Sequence, residues 1–390
     1  MVLTTEHISH LQIEKTVQAV IHLMTSRHPM SSGGGKGFAM PVSEDISYTL
    51  YGSVHHPSVE EIVGKDYILF KPEPEKGQVD KAGFDLRIGN YIGISDTVIQ
   101  DLTAEDIKNM RWVKLEDGEP FILEPNPDGN KVYYVPSYES ISLSQDLEVF
   151  LDSKSTTGRV GCISHTAGVS SQNHIITALQ PFQFPLIVRA GKTKLSQVAI
   201  RYKNSSYMSH EEVASRTSVD ITENGESLMD RLMTPRGLQM QFDTRNRIYR
   251  AKRCDIPIDM DAKGTINPEP YFDCLEGNGE VTINPKTLYL LGSLGIIRLG
   301  MTCGFLTREE NVLTGTGAWG HFAGIFQPGF TGGITMEVFS PSKRIIRTGY
   351  KAGTVIFDKL NGYKDEKFDF HTGTYQGQIP PLLPKMFRQI

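Results

Sequence analysis

Phe84-Asp85-Leu86-Arg87 recurs as Phe242-Asp243-Thr244-Arg245, and this recurrence decides how the chain is read. Two further pairs keep the same order. Gly158-Arg159-Val160-Gly161 returns as Ile297-Arg298-Leu299-Gly300, and Arg189-Ala190-Gly191 as Lys351-Ala352-Gly353. From Asp85 to Gly191 is 106 positions and from Asp243 to Gly353 is 110, so the three anchors describe one unit used twice. The texture of that unit is β. Short apolar runs at 67–70, 84–88, 131–135, 186–189 and 197–202 alternate with Gly, Pro, Asn and Asp clusters, as in a barrel or sandwich of short strands. Two similar β domains are expected, over 66–205 and from 235 onward to 378, joined by the polar stretch 203–234. Helical patterns are few: one near 103–110, one at 210–216, and one at 11–24. In the last, Leu11, Val17, Val20, Ile21 and Met24 share a face, giving the extension 1–65 a helix.

The composition fits this picture. A length of 390 residues suits two domains. The net charge of −5, from 40 Lys+Arg and 45 Asp+Glu, leaves no basic footprint for nucleic acid. The longest apolar stretch, 288–299, is broken by glycines, Ser293 and Arg298, so no membrane span is expected. Glu6, His7 and His10 stand where a secretory signal would be apolar, which points to the cytoplasm. Cys162, Cys254, Cys274 and Cys303 form no C-x-x-C, so neither a disulfide scaffold nor a zinc cluster is expected. The run Ser31-Ser32-Gly33-Gly34-Gly35-Lys36-Gly37 lacks the phosphate-loop pattern and reads as a flexible linker.

Two stretches carry chemistry. Lys154-Ser155-Thr156-Thr157-Gly158-Arg159 packs two cations and three hydroxyls around a glycine. It reads either as a phosphate cradle or as a polar surface loop. Gln327-Pro328-Gly329-Phe330-Thr331-Gly332-Gly333 feeds a strand in which Ile334, Met336 and Val338 share one face and Thr335, Glu337 and Phe339 the other. Glu337 is there a general acid/base or a solvent-facing strand residue. The corresponding strand of the first copy, Ile175-Ile176-Thr177-Ala178-Leu179, has no carboxylate. A site would then be composite, with the anion loop from one half and the acid/base from the other. Arg298, the partner of Arg159 in the anchors, reads as structural, at a domain contact or paired with a carboxylate. From Arg159 to Gly191 is 32 residues but from Arg298 to Gly353 is 55, so the second copy has an extra loop, which holds His321. His55, His56, His165, His174 and His321 form no metal-binding spacing. The stretch Thr374-Tyr375-Gln376-Gly377-Gln378, before Pro380-Pro381, is an irregular tail or an arm over a ligand, with Tyr375 and Gln378 as donors.

Taken in order, Asp85-Leu86-Arg87-Ile88-Gly89, the 154–161 loop, the run from Gln327 to Glu337, the following Ala-Gly and Tyr375-Gln376-Gly377-Gln378 resemble the dCTP deaminase family. The resemblance covers roughly 66–378. It implies two tandem dUTPase-like distorted β-barrels of jelly-roll type that convert dCTP to dUTP and ammonia. In the roles it implies, Ser155 and Arg159 orient the attacking water and steady developing charge, with Glu337 as general acid/base. Lys154 and Thr156 stand at phosphate-binding positions and keep that chemistry. Phe330 and His321 belong to the base-reading hairpin at 319–333, and Tyr375 and Gln378 close on the nucleotide. Gln327 replaces an Asp that holds the deoxyribose, and Thr374 a phosphate-binding Lys. No metal acts on the base; Mg²⁺ arrives with the triphosphate, and zinc has no part. Family sites lie between barrels of a homo-oligomer, here a trimer or a dimer. The alternatives are a dUTP diphosphatase, an enzyme performing both steps, and an inactive nucleotide-binding regulator. A diphosphatase needs a hairpin Asp at the α-phosphate; Gln327 and Glu337 instead favour deamination.

Overall fold

The computed structural model describes residues 50–51 and 68–389, except 73, 76, 81–82, 100–101, 129–130, 144–146, 170–172, 203–205, 215–218, 301, 308–318, 321–322 and 360–374. The expected helix at 11–24, the linker at 31–37, His55, His56, His321 and Thr374 lie outside the described residues.

The described chain is mainly β, in curled sheets, with four short helices. Two of those are the expected ones. Ala104–Asn109 starts at a capping box in which Thr103 and Asp106 each satisfy the other's backbone N–H. His210–Ala214 follows Ser209, whose hydroxyl accepts from the Glu212 N–H. None of the described helices is long and apolar enough to cross a membrane.

The repeat is present in the strand pairing, but four residues out of the register that the anchors suggest. Gly83–Arg87 runs antiparallel to Lys194–Tyr202 with Phe84 opposite Val198. Gly237–Asp243 runs antiparallel to Lys351–Lys359 with Leu238 opposite Val355. On the other edge, Val79 pairs with Phe84 and Met233 with Leu238. Phe84 therefore corresponds to Leu238 rather than Phe242. Likewise Arg189, opposite Pro120, corresponds to Arg347, opposite Glu280. Gly191 and Gly349, both at positive φ, turn the chain after these strands and donate to the carbonyls of Ile88 and Phe242. The letters F-D-x-R recur by coincidence. What the halves share is an alternation of inward apolar side chains, Phe84 and Leu86 in one and Leu238 and Met240 in the other.

The second anchor is displaced too. Ser293 is the counterpart of Ser137. Each hydroxyl accepts from an isoleucine N–H on the next strand, Ile334 or Ile175, and donates to a carbonyl two residues ahead. Arg298 therefore lies on an ordinary strand, Ile296–Leu299, and is exposed rather than held at a domain contact. The second half also begins earlier than 235. Val219–Glu223 pairs with Ile296–Leu299, so part of the stretch read as a polar joiner is sheet. Among the described residues there, the buried apolar ones are Val213, Val219, Ile221, Met229 and Leu232, too sparse a pattern to read as strand.

The largest hydrophobic cluster belongs to neither half alone. Ile92, Tyr133, Phe182, Phe184 and Val188 of the first pack with Tyr249, Phe272, Leu288 and Phe339 of the second, and with Leu383, Met386 and Phe387 beyond the repeat. Phe182 and Phe339 meet ring to ring at 5.2 Å across this junction. A strand from the second half, Ile258–Asp259, adds in parallel to Leu186–Arg189 of the first. Arg189 then holds Asp259 through two bonds of 2.7 and 2.8 Å.

Candidate active site

The 154–159 turn is a single helical turn, Ser155–Gly158, set between Leu147–Ser153 and Cys162–Val169. Its residues divide by direction. Thr157 points inward and donates to the Leu195 carbonyl, so it is structural. Lys154 ion-pairs with Asp85 of the Gly83–Arg87 strand, in the same sheet as the strand that leads into the turn. Thr156 shares a 3.0 Å hydrogen bond with the Tyr375 hydroxyl. Ser155 sits half-buried at the start of the turn, and among the described residues its hydroxyl has no hydrogen-bond partner.

Arg159 closes the turn and is 2% exposed. Its Nη2 donates to Gln378 Oε1 at 3.0 Å and its Nη1 to the Leu382 carbonyl at 3.2 Å. The guanidinium lies over the Tyr375 ring, 3.7 Å from the centroid. Burial pulls its pKa below the ordinary arginine value, opposed by Tyr375 and Glu337. The buried Nε has no hydrogen-bond partner among the described residues, and Glu337 Oε1 lies 4.0 Å from it. That separation is too long for a hydrogen bond, so the Arg159 Nε keeps its donor for a third party.

Glu337 comes from the central strand Thr335–Phe339, buried on both faces. The alternation works as expected: Ile334, Met336 and Val338 enter the core of the second half. The opposite face is not solvated. Thr335 accepts from the Leu382 N–H, Glu337 (1% exposed) faces Arg159, and Phe339 meets Phe182. In the first half Ala178 occupies the matching position: Ala178 lies opposite Tyr134 as Glu337 lies opposite Leu290. At these matched positions the second half thus supplies a carboxylate, facing Arg159 of the first half, where the first half has an alanine.

The 375–378 stretch is an arm. Gln376 accepts from the Thr331 N–H and donates to the Gly329 carbonyl, and Gly377 donates to Thr331. Gln378 joins Gly333 and Arg159. These bonds clamp the 327–333 turn, where Phe330 is half-buried against the second core. Gln327 Oε1 is buried with no hydrogen-bond partner among the described residues. Three contributors were not singled out in the sequence: Gln376, Thr335 and the Leu382 backbone. Thr335 was legible from its alternation with Glu337, and Gln376 from its place inside the arm; a backbone carbonyl leaves no mark in a sequence. His174, considered for a metal, bonds the Ser137 carbonyl through Nδ1 at 2.7 Å, and burial lowers its pKa.

Comparison with known proteins bears on this geometry. A family model described as dCTP deaminase-like matches residues 57–201, and one described as the 2'-deoxycytidine 5'-triphosphate deaminase C-terminal domain matches 209–377. The chain is 28% identical over 177 residues to a Dictyoglomus thermophilum protein named dCTP deaminase, dUMP-forming, covering 40% of this chain and 88% of that one. A Streptomyces coelicolor protein of the same name is 32% identical over 98 residues, or 24% of this chain. The chain spans about half the length of that relative, 49%. The crystal structure of 2'-deoxycytidine 5'-triphosphate deaminase from Agrobacterium tumefaciens superposes with a TM-score of 0.64 at 23% identity, covering 75% of this chain and 93% of that one. At that identity the likeness establishes the fold.

Proposed function

The chain belongs to the dCTP deaminase family, and from that premise we propose that it hydrolyses the 4-amino group of dCTP, giving dUTP and ammonia. One observation carries the reading. Arg159 and Glu337, one from each half, are buried and face one another at 4.0 Å, and the Arg159 Nε has no hydrogen-bond partner among the described residues. A water held between Ser155, Arg159 and Glu337 adds to C4 of cytosine as Glu337 takes its proton. The tetrahedral carbon then carries both hydroxyl and amine. Glu337 gives that proton to N3 and then carries the hydroxyl proton to the amine, so that the C4–N bond breaks and ammonia leaves with a C4 carbonyl in its place. Arg159, kept charged by Glu337 and the Tyr375 face, steadies the charge that builds on the ring.

Lys154 and Thr156 take the phosphates, Tyr375 and Gln378 close over them, and Gln327 and Phe330 line the sugar and base side. Mg²⁺ enters as part of the triphosphate substrate and shields its charge. A trimer or dimer of the chain, in the cytoplasm, completes the proposal.

A second reading is favoured by the relatives named dUMP-forming. In it the same chain also releases pyrophosphate. That step calls for a carboxylate at the α-phosphate, where this hairpin offers Gln327. The test is to incubate the protein with dCTP and Mg²⁺, then with dUTP, separating nucleotides and assaying ammonia and pyrophosphate. Ammonia with dUTP and no pyrophosphate supports the first reading. Ammonia with dUMP and pyrophosphate supports the second. Pyrophosphate from dUTP with dCTP untouched overturns both.

A further inference from the structure

The family match ends at residue 377, but the ordered chain does not. Residues 379–389 turn back beneath the site. Leu383, Met386 and Phe387 are buried in the cluster that joins the halves, and Phe387 stacks edge-on against Tyr271 and Phe272. This anchoring leaves Lys385 half-buried beside the 154–159 turn. Its N–H donates to the Tyr375 hydroxyl at 3.1 Å, the same hydroxyl that bonds Thr156.

Backbone bonds gather three more lysines at this spot. Gly264 donates to the Lys385 carbonyl at 2.9 Å, which sets Lys263 alongside. Lys154 donates to the Leu195 carbonyl at 3.0 Å, which sets it beside Lys194. The carboxylates are fewer. Asp85 pairs with Lys154, and Glu75, half exposed, with Lys194 at 3.3 Å. The ammonium groups of Lys263 and Lys385 have no partner among the described residues. Burial holds Lys385 below its ordinary pKa, and Lys154, Lys263 and Lys194 add to that, with Asp85 opposing. Like charges gathered on a partly desolvated wall, next to hydroxyl donors, form an anion site.

We propose that the 379–389 segment completes the site by carrying Lys385, with Lys263 behind it, to the phosphate end, where the two bind the polyphosphate of the nucleotide. This rests on the dCTP reading for the identity of the nucleotide, but not for the anion chemistry.

The experiment is calorimetric titration of the full chain with inorganic tripolyphosphate and, separately, with dCTP, for the wild type, K385M, K385R and K263M. K385M weakens tripolyphosphate binding about tenfold or more, the scale of one charge-assisted hydrogen bond. K385R restores most of it, as loss of packing alone would not allow. K263M, at an exposed position, weakens binding by a few fold, and in both Lys→Met variants affinity falls less steeply with added salt. In turnover, KM for dCTP rises in K385M far more than kcat falls. Should K385M fail to fold, K263M alone carries the test. Tripolyphosphate affinity within twofold of wild type in every folded Lys→Met variant overturns the proposal, as does a wild type that does not bind it. If the wild type yields no ammonia from dCTP yet K385M loses tripolyphosphate, the deaminase reading falls and this one stands. If ammonia is made and the variants bind normally, the reverse holds.

Discussion

Arg159 and Glu337 are both enclosed, and neither is closed off by the other. A hydrogen-bonded buried ion pair would occupy the Arg159 Nε; at 4.0 Å the two groups are oriented toward each other and that donor is left unused. The rest of the arginine is fixed by Gln378, the Leu382 carbonyl and the Tyr375 ring. Glu337→Gln keeps the size and hydrogen-bonding reach of the side chain but cannot take a proton. Ammonia release from dCTP is expected to fall roughly 10²–10⁴-fold, with calorimetric dCTP affinity within a few fold of wild type. Unchanged ammonia release would remove Glu337 from the chemistry. Both side chains stood out in the sequence because each sat in a dense local pattern, one of cations and hydroxyls, the other at a glycine turn running into a strand. That they belong to one site between the halves was expected, but their separation and burial were not legible, since 177 residues separate them.

Among the elements, the Thr335–Phe339 strand and the arm that follows the second half act together. Alternation in the strand turns Thr335, Glu337 and Phe339 toward the first half, and the arm ties the preceding turn in place through Gln376 and Gln378. The closeness of that packing depends on Gly333, where an added Cβ would come within 2.3 Å of Pro380 Cδ and 2.4 Å of Cγ. A proline ring cannot swing aside as a flexible side chain can, so the arm itself must move. Gly333→Ala is expected to cost about 1–3 kcal/mol in urea unfolding and to raise KM for dCTP, because Gln378 leaves Arg159. An unchanged KM with the same stability loss would show that the arm's position does not matter to binding. At this scale the sequence spoke clearly for short strands and helices, since period-two burial and capping are local. It misplaced the repeat by four residues because motif letters are a poorer guide to register than the pairing of buried positions.

For the molecule as a whole, the decisive feature is a core shared between the halves. Residues 57–208 produced alone would expose Phe182, Phe184 and Val188 on the face that Phe339, Phe272 and Phe387 now cover. That fragment is expected to bind a hydrophobic dye and to release no ammonia from dCTP; a dye-silent, active fragment would contradict the composite site. Polar contacts reinforce the same junction. Arg189 bonds Asp259 and Asp261, and its hydrogen bond holds the Asp259 carboxyl below the usual carboxylate range. A carboxyl lowered in the fold contributes stability above its unfolded value, near pH 4, and loses that contribution as pH falls through the folded value. Asp259→Asn should therefore lower the melting temperature at pH 7, with the difference from wild type shrinking below about pH 4. A difference independent of pH would assign the effect to packing.

The sequence by itself determined a mainly β chain built from one unit used twice, with the turn of cations and hydroxyls in the first copy and Glu337 in the second. Alternation, turn residues and clustered chemistry are all read within about ten residues, the range over which backbone geometry acts. Only the tertiary structure decided that the halves share their largest core, that the carboxylate strand has no solvent face, and that a segment beyond the repeat turns back to place Lys385 beside the site. Those outcomes depend on which apolar surfaces meet, and burial between distant segments leaves no periodicity in either one.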